Sequence, residues 1–159
     1  MSELAVDARP ETVAEAVIVR LGAGRFAVDL AGVAEVGRVP KTTRIPGAPG
    51  WLAGVANWRG RLLPVLDLRS LLGADGAPPT GTARVLVLTA AGITAGVIVD
   101  AVDGTGPIGD VEDVPLALHD AGNDLLCGQV PRDDGPIAVL DTVAVLRLRD
   151  QIPRGRRSA

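Results

Sequence analysis

The chain is nearly empty of the side chains that carry out chemistry. It has one cysteine, Cys127, one histidine, His119, no tyrosine, and three serines, Ser2, Ser70 and Ser158. Nucleophilic and general acid–base catalysis draw on these residue types, as do most transition-metal sites, so an enzyme has almost no inventory to work with here. A single cysteine excludes an intramolecular disulfide and fits a reducing compartment. Next to Gly128, Cys127 reads as a small buried residue. No cofactor is implied. Gly22-Ala23-Gly24 is followed by neither Lys-Ser/Thr nor a helix, so it is not a phosphate loop. His119 has no second His or Cys at ligand spacing and reads as a surface histidine. The acidic residues Asp100, Asp103, Asp110, Glu112 and Asp113 lack the calcium-loop spacing with its closing Glu, and read as a solvated acidic loop.

Positive charge is scarce in the same way. The formal net charge is -3, and the one basic cluster, Arg154, Arg156 and Arg157, lies in a Gly- and Pro-containing tail. Binding to phosphate backbones needs a concentrated basic face, so nucleic acid is excluded as the main partner. The opening MSELAVDARPET carries acids and has neither a basic nor an apolar signal region, so it is not expected to be a signal peptide. The longest nearly uncharged apolar run, Val85 to Val99, is interrupted by Thr89, Gly92, Thr94 and Gly96. A membrane helix needs ~20 such residues, so no membrane insertion is expected and the cytoplasm is the expected location.

What is present is a globular composition. Of 159 residues, 47% are hydrophobic and 22% charged, which suits one domain with a real core. Apolar, β-branched runs of strand length recur between Gly, Pro and Asp turns. They are Ala16 to Leu21, Phe26 to Leu30, Leu62 to Leu66, Val85 to Leu88, Gly96 to Val99 and Pro136 to Leu140. Gly22-Ala23-Gly24, Arg59-Gly60, Ala91-Gly92 and Asp133-Asp134-Gly135 read as their turns. Short strands with tight turns suggest an antiparallel barrel or sandwich, and the continuous apolar runs suggest strands buried on both faces. Two short helices are expected, Leu68 to Leu72 and Thr142 to Leu148, with Asp67 and Asp141 as their N-caps.

These two places are related. A shift of 74 residues pairs Leu52 with Leu126, Gly54 with Gly128, Val65 with Val139, Leu66 with Leu140, Asp67 with Asp141 and Leu72 with Leu146. Upstream, Ala27-Val28-Asp29 is more loosely like Ile98-Val99-Asp100. The pattern implies an internal duplication: two similar barrels joined by the Pro/Gly-rich stretch Gly73 to Gly81. The expected layout is a single domain over 15–150, its halves intertwined, with flexible tails over 1–14 and 151–159.

Three stretches resemble the signature of CheW-like domains. They are Thr43-Arg44-Ile45-Pro46-Gly47-Ala48-Pro49, Gly54-Val55-Ala56-Asn57-Trp58-Arg59-Gly60 and Leu63-Pro64-Val65-Leu66-Asp67-Leu68-Arg69. The family reads T-R-I-P-x-x-P, G-V-x-N-L-R-G and V-P-V-x-D-L-R at these places. Ala95-Gly96-Val97-Ile98-Val99-Asp100-Ala101-Val102, Leu126-Cys127-Gly128 and Ile137-Ala138-Val139-Leu140-Asp141 match its second half. The likeness runs from about Glu15 to Leu148. It departs in having Trp58 for the family's Leu, and Gly104-Thr105 where the family has Asp-Val. The resemblance implies an all-β fold of two pseudo-symmetric five-stranded β-barrels. It also implies a non-enzymatic chemotaxis adaptor that bridges a chemoreceptor's cytoplasmic tip to the regulatory domain of a CheA-like histidine kinase, recruited to membrane-bound receptor arrays. Val33, Glu35, Gly54 and Arg59 are implied to lie where members contact receptor or kinase.

Read residue by residue, Arg59 before Gly60 is either a forked anchor for a partner's carboxylate or carbonyl, or an ion-pair partner of Glu35. Trp58 is either barrel filler or a surface anchor beside Arg59. Val33 and Glu35 lie on Gly32 to Gly37, which alternates as a half-exposed strand does. An adaptor of a non-chemotactic signalling array is the alternative function. A small-ligand β-barrel protein is a more distant one, with Asp29, Asp67, Asp100 and Asp141 as its candidate titratable groups. A kinase fragment or receiver fusion has little support, since the one lysine, Lys41, has no acidic receiver pocket after it.

Overall fold

The computed structural model describes residues 12–13, 15–74, 81–113 and 123–152. Its strands in chain order are β1 (Thr12–Val13), β2 (Ala16–Leu21), β3 (Gly24–Asp29), β4 (Val33–Arg38), β5 (Leu52–Trp58) and β6 (Arg61–Leu66). They continue with β7 (Arg84–Ala90), β8 (Ile93–Val99), β9 (Ala101–Gly106), β10 (Gly109–Asp110), β11 (Leu126–Val130) and β12 (Ile137–Leu140). Two short helices follow strand ends, α1 (Arg69–Leu72) and α2 (Thr142–Arg147). The class is all-β. Within the expected tails, Thr12–Val13 instead pairs with Gly109–Asp110, and Gln151 closes a 3-10 turn. Most of the expected connector lies outside the described residues, as does His119.

The strands form two five-stranded sheets, ordered β11-β12-β3-β2-β9 and β4-β7-β8-β6-β5. Each sheet therefore takes three strands from one half of the chain and two from the other. The exchange introduces two parallel pairings into an otherwise antiparallel arrangement. Val65 and Leu66 of β6 pair with Gly96 and Val97 of β8, and Val139 and Leu140 of β12 pair with Ala27 and Val28 of β3. The antiparallel arrangement suggested by the sequence holds except at these two pairings, because apolar runs do not say which strand is the neighbour.

The duplication is visible strand by strand. Leu52↔Leu66, a bulge, then Gly54↔Val65 in one lobe repeats as Leu126↔Leu140, a bulge, then Gly128↔Val139 in the other. Upstream the offset is 69 residues, since Ala27 and Gly96 hold equivalent parallel pairings. The same offset superposes Glu35 on Gly104, opposite Val87 and Ile18, each beside a bulge. The looser likeness of Ala27-Val28-Asp29 to Ile98-Val99-Asp100 was thus two residues out of register.

Neither sheet is a hydrogen-bonded barrel. In the second sheet β4 and β5 are the two end strands and share no ladder. Their connection instead lays Thr43 along β5 through one bridge, Thr43 N–H to Val55 O at 2.8 Å and Val55 N–H to Thr43 O at 2.9 Å. Glu112 and Gln129 repeat that bridge in the other lobe. The main core contains side chains of both sheets and of α2, among them Val17, Val19, Val28, Leu66, Leu86, Val97, Leu140 and Leu146, all 3% exposed or less. This is the both-face burial that the continuous apolar runs suggest. A second cluster, Ala16, Ala27, Ile108, Cys127, Val130, Ile137 and Val139, fills the first sheet from its other side, and Cys127 is buried as expected.

The two cap residues differ in detail. Asp141 is the N-cap of α2, and its Oδ1 accepts the Ala144 N–H at 3.1 Å. At α1 the N-cap position is Leu68, and Asp67 acts one residue earlier by accepting the Arg69 N–H at 3.1 Å. Asp67 also holds the Arg69 guanidinium, Nη2 to Oδ2 at 2.9 Å, and that guanidinium lies 3.7 Å from the buried Asp100. Burial pushes the Asp67 carboxyl up, but the hydrogen bonds from Arg69 win and its pKa lies below the ordinary aspartate value. Asp141→Ala is expected to cost ~1 kcal/mol of stability in urea denaturation, as a lost N-cap does. Asp67→Ala should cost more, because it also strips Arg69 of its nearest counter-charge.

The bridges also explain two glycines. A Cβ on Gly54 would stand 2.5 Å from the Thr43 carbonyl oxygen, and one on Gly128 would collide with the Glu112 carbonyl oxygen and the Val111 side chain. Gly54→Ala and Gly128→Ala should each destabilise the protein by ~1–3 kcal/mol, read as a lowered denaturation midpoint. An unchanged midpoint for either would show that the crossing segment is free to yield.

Candidate functional site

The hairpin β5–β6 turns through Arg59 and Gly60, both with positive φ, 52° and 81°. Two such residues make the turn that matches strand twist, and glycine takes the second position at no steric cost. The Asn57 carboxamide oxygen accepts the Gly60 N–H at 3.0 Å and fixes the turn from inside. Arg59 is thereby held at the tip, its side chain 74% exposed.

The guanidinium is not free. Its Nε donates to both Glu35 carboxylate oxygens, at 3.0 and 3.2 Å, and its Nη2 donates to Oε1 at 2.8 Å. Trp58 joins them: its indole N–H donates to Glu35 Oε2 at 2.9 Å, and the Arg59 guanidinium carbon lies 5.9 Å from the indole ring centre. Trp58 is half-buried, its ring lying over Gly37, where a Cβ would come within 2.8 Å of Cη2. The two readings of Trp58 merge: one edge of the ring plugs the sheet and the other supports the surface cluster. Of the two readings of Arg59, the ion pair with Glu35 is present, and the side chain is still mostly exposed.

Glu35 is therefore the centre of the site. Hydrogen bonds from Arg59 and then from Trp58 hold its carboxyl below the ordinary glutamate value, against a smaller opposing effect of burial. The cluster bridges β4 and the β5–β6 hairpin, which share no ladder, so side chains close what the backbone leaves open. Among the described residues, the exposed Arg38, Lys41, Arg44 and Arg61 on these strands and their connection lie within ion-pair distance of no carboxylate. Exposed apolar side chains accompany them: Val36 is 44% exposed and Leu62 78%.

Of the residues singled out from the sequence, Glu35, Trp58 and Arg59 come together. Val33 and Gly54 do not join them. Val33 packs against the main core, opposite Leu88, and Gly54 is buried under the Thr43 bridge. Sequence reasoning missed Gly37, the seat of the indole, and Asn57, the clasp of the turn. The alternating Gly32 to Gly37 pattern was a signal for a strand and not for a ring above it.

The carboxylates weighed for chemistry are each occupied structurally. Asp29 accepts the Ala31 N–H at 3.0 Å, and Asp100 accepts the Gly22 N–H at 2.6 Å. Asp67 and Asp141 bind Arg69 and Ala144. None of the four lines the ≈ 670 Å³ groove around Leu62 and Pro64 or the ≈ 360 Å³ cleft around Gly104 and Ile108. Among the described residues no group of three or more His, Cys, Asp or Glu could hold a metal ion, and no helix is long and apolar enough to cross a membrane.

The architecture is two pseudo-symmetric sheets that exchange strands, with a charged hairpin tip at Arg59. The chain belongs to the CheW-like domain family, whose model matches residues 15–150. It is 44% identical over 85 residues to Protein PilI of Pseudomonas aeruginosa, covering 54% of this chain and 48% of that one. Protein FrzA of Myxococcus xanthus is 36% identical over 125 residues, 77% of each chain. The crystal structure of scaffolding protein TtCheW from Thermoanaerobacter tengcongensis superposes with a TM-score of 0.73 at 27% identity, covering 85% of this chain and 88% of that one. The match spans about half the length of PilI, and 57% of the probable chemotaxis protein CheW of Rhizobium etli.

The depressed Glu35 pKa makes a signed prediction. A lowered folded-state pKa means that the carboxylate's contribution is present above the unfolded value and is lost as pH falls through the folded one. The Trp58 indole N–H resonance should hold its position from neutral pH downward and move only below the ordinary glutamate range. A midpoint at or above that range would mean that the Glu35 cluster does not persist in solution.

Proposed function

We propose that the protein is a non-catalytic adaptor that couples a chemoreceptor's cytoplasmic tip to the regulatory domain of a CheA-like histidine kinase. Its docking centre is Glu35, Trp58 and Arg59. The observation that carries this reading is the exposed, pre-ordered Arg59 fork on a hairpin tip, beside an aromatic ring and among cations with no carboxylate partner. An Arg whose rotamer is already fixed loses little entropy on binding, and Arg with Trp is the composition of interface hot spots. A partner face that supplies carboxylates complements Arg59 and Arg61, the cross-strand neighbour of Trp58. Val33 and Gly54 belong to this reading only indirectly: replacing either would shift the strands that carry the cluster. The family and the scaffold named among its relatives support the assignment, and Asp29, Asp67, Asp100 and Asp141 each hold a structural hydrogen bond. The expected location is the cytoplasm, at receptor arrays. An array whose output is not motility would use the same surface, and the receptors and kinases that co-purify from native cytosol tell the two apart.

Arg59→Ala should melt within a few degrees of wild type, because surface ion pairs contribute ~0–1 kcal/mol. Its binding to a receptor-tip fragment or to the kinase regulatory domain should weaken at least ~tenfold, since an anchoring Arg is worth ~2 kcal/mol or more. Arg59→Lys should recover only part of the loss, keeping the charge without the planar fork. Isothermal titration beside thermal melting reads both effects. Normal binding by Arg59→Ala to both partners would remove Arg59 from the interface.

A further inference from the structure

The duplication gives the Trp58 plug a counterpart position in the other lobe, and that position is open. Gly37 corresponds to Gly106 and Glu35 to Gly104, as their matched pairings with Val85 and Val87, and with Ala16 and Ile18, show. Trp58 corresponds to Arg132 by the 74-residue offset that relates β5–β6 to β11–β12. Where Gly37 is covered by an indole ring, nothing among the described residues lies within 4 Å of a Cβ position on Gly104 or Gly106. A cleft of ≈ 360 Å³ stands over the two glycines, with Ile18, Ile108 and Ile137 in its wall.

Arg132 lines this cleft; its hydrogen bonds among the described residues go to carbonyls, Asp134 is near enough to feel its charge, and Asp103, also on the cleft, is paired with Arg20. The Nη2 of Arg132 donates to Ile108 O at 2.9 Å and its Nη1 to Pro131 O at 3.4 Å. Among the described residues no carboxylate lies within ion-pair distance of it. Arg25, also on the cleft, is already paired with Asp134 at 2.6 Å. The floor of the cleft is β9, the end strand of the first sheet, whose outer edge pairs with no strand of that sheet.

We infer that this cleft is a docking site for a partner protein segment that presents an aromatic side chain next to a carboxylate. The ring lies on the glycine floor as Trp58 lies on Gly37, against the isoleucines and within reach of a guanidinium. The carboxylate takes the uncommitted face of Arg132. The outer edge of β9, unpaired among the described residues, favours a polypeptide over a free aromatic acid, because an extended segment satisfies backbone groups that a small molecule leaves to water. The site is separate from the Glu35 cluster and stands whether or not Arg59 anchors a partner.

The test uses the whole protein and a blocked tetrapeptide, acetyl-Thr-Trp-Glu-Thr-amide, followed by heteronuclear NMR. Amide shifts should concentrate at Gly104, Gly106 and Ile108, with a Kd on the order of 1 mM, as for a short unconstrained ligand. Intermolecular contacts should run from the indole ring to the Ile108 and Ile137 methyls. Replacing Glu by Lys in the peptide, or Arg132→Ala in the protein, should weaken binding about fivefold or more, and Gly106→Val should abolish it. Should Gly106→Val unfold the protein, the ring-to-methyl contacts in wild type decide the matter alone. No shifts at these residues up to about 10 mM peptide, or full binding by Gly106→Val, would overturn the proposal. So would free indole-3-acetate binding as tightly as the peptide, which would make the cleft a small-molecule site.

Discussion

Each sheet is completed by a hairpin from the other half of the chain, and the rest of the molecule depends on that exchange. The parallel contacts Val65–Gly96 and Val139–Ala27 are the seams. They place the strand ends Leu66 and Leu140 in one core with Val28 and Val97. The main core draws strands from both halves, so the two halves are expected to unfold together despite the repeat. The same seams fix where each hairpin tip emerges. Arg59 stands beside Glu35 because β6 is held by β8, β8 by β7, and β7 by β4.

Close approach at the seams explains where glycine is required. Gly96 sits in the parallel pairing, where a Cβ would come within 2.9 Å of Val85 Cγ2. Gly54 and Gly128 lie under crossing carbonyls in equivalent places. These are demands of packing, and they account for the Leu-x-Gly repeat without appeal to function. A glycine in a signature motif is thus ambiguous from sequence alone, which is why Gly54 could be grouped with surface residues until its neighbours were known.

The strand runs and the duplication were legible because their signals are local: apolar, β-branched segments between turn residues, repeated at a fixed spacing. β2 and β12 fall within a residue of the apolar runs that mark them. β9 was not legible, because Asp103-Gly104-Thr105-Gly106 is the composition of a loop and becomes a strand only through its ladder with β2. Barrel closure was also beyond reach, since it hangs on whether two end strands meet by hydrogen bonds or by side chains. Of the site, the ion pair of Arg59 with Glu35 was foreseeable as one alternative. The shared use of Glu35 by Trp58 was not, because it requires a ring resting on Gly37.

Trp58 is also the residue at which the two lobes part company. In the first lobe Trp58 supplies a ring for the floor and an N–H for Glu35, and side chains close the gap between β4 and β5. In the second lobe the equivalent floor is two glycines, and Arg132 leans away to carbonyl oxygens. A duplicated fold starts with two copies of every surface, and a bridging protein needs two different ones, or each partner would compete for both. Filling one gap and leaving the other open breaks that symmetry with few changes. The first lobe presents a charged tip, whereas the other presents a cavity beside a strand edge that is unpaired among the described residues. Under the proposed adaptor reading, the tip and the cleft are two unlike surfaces through which one small domain holds two partners in a fixed relation.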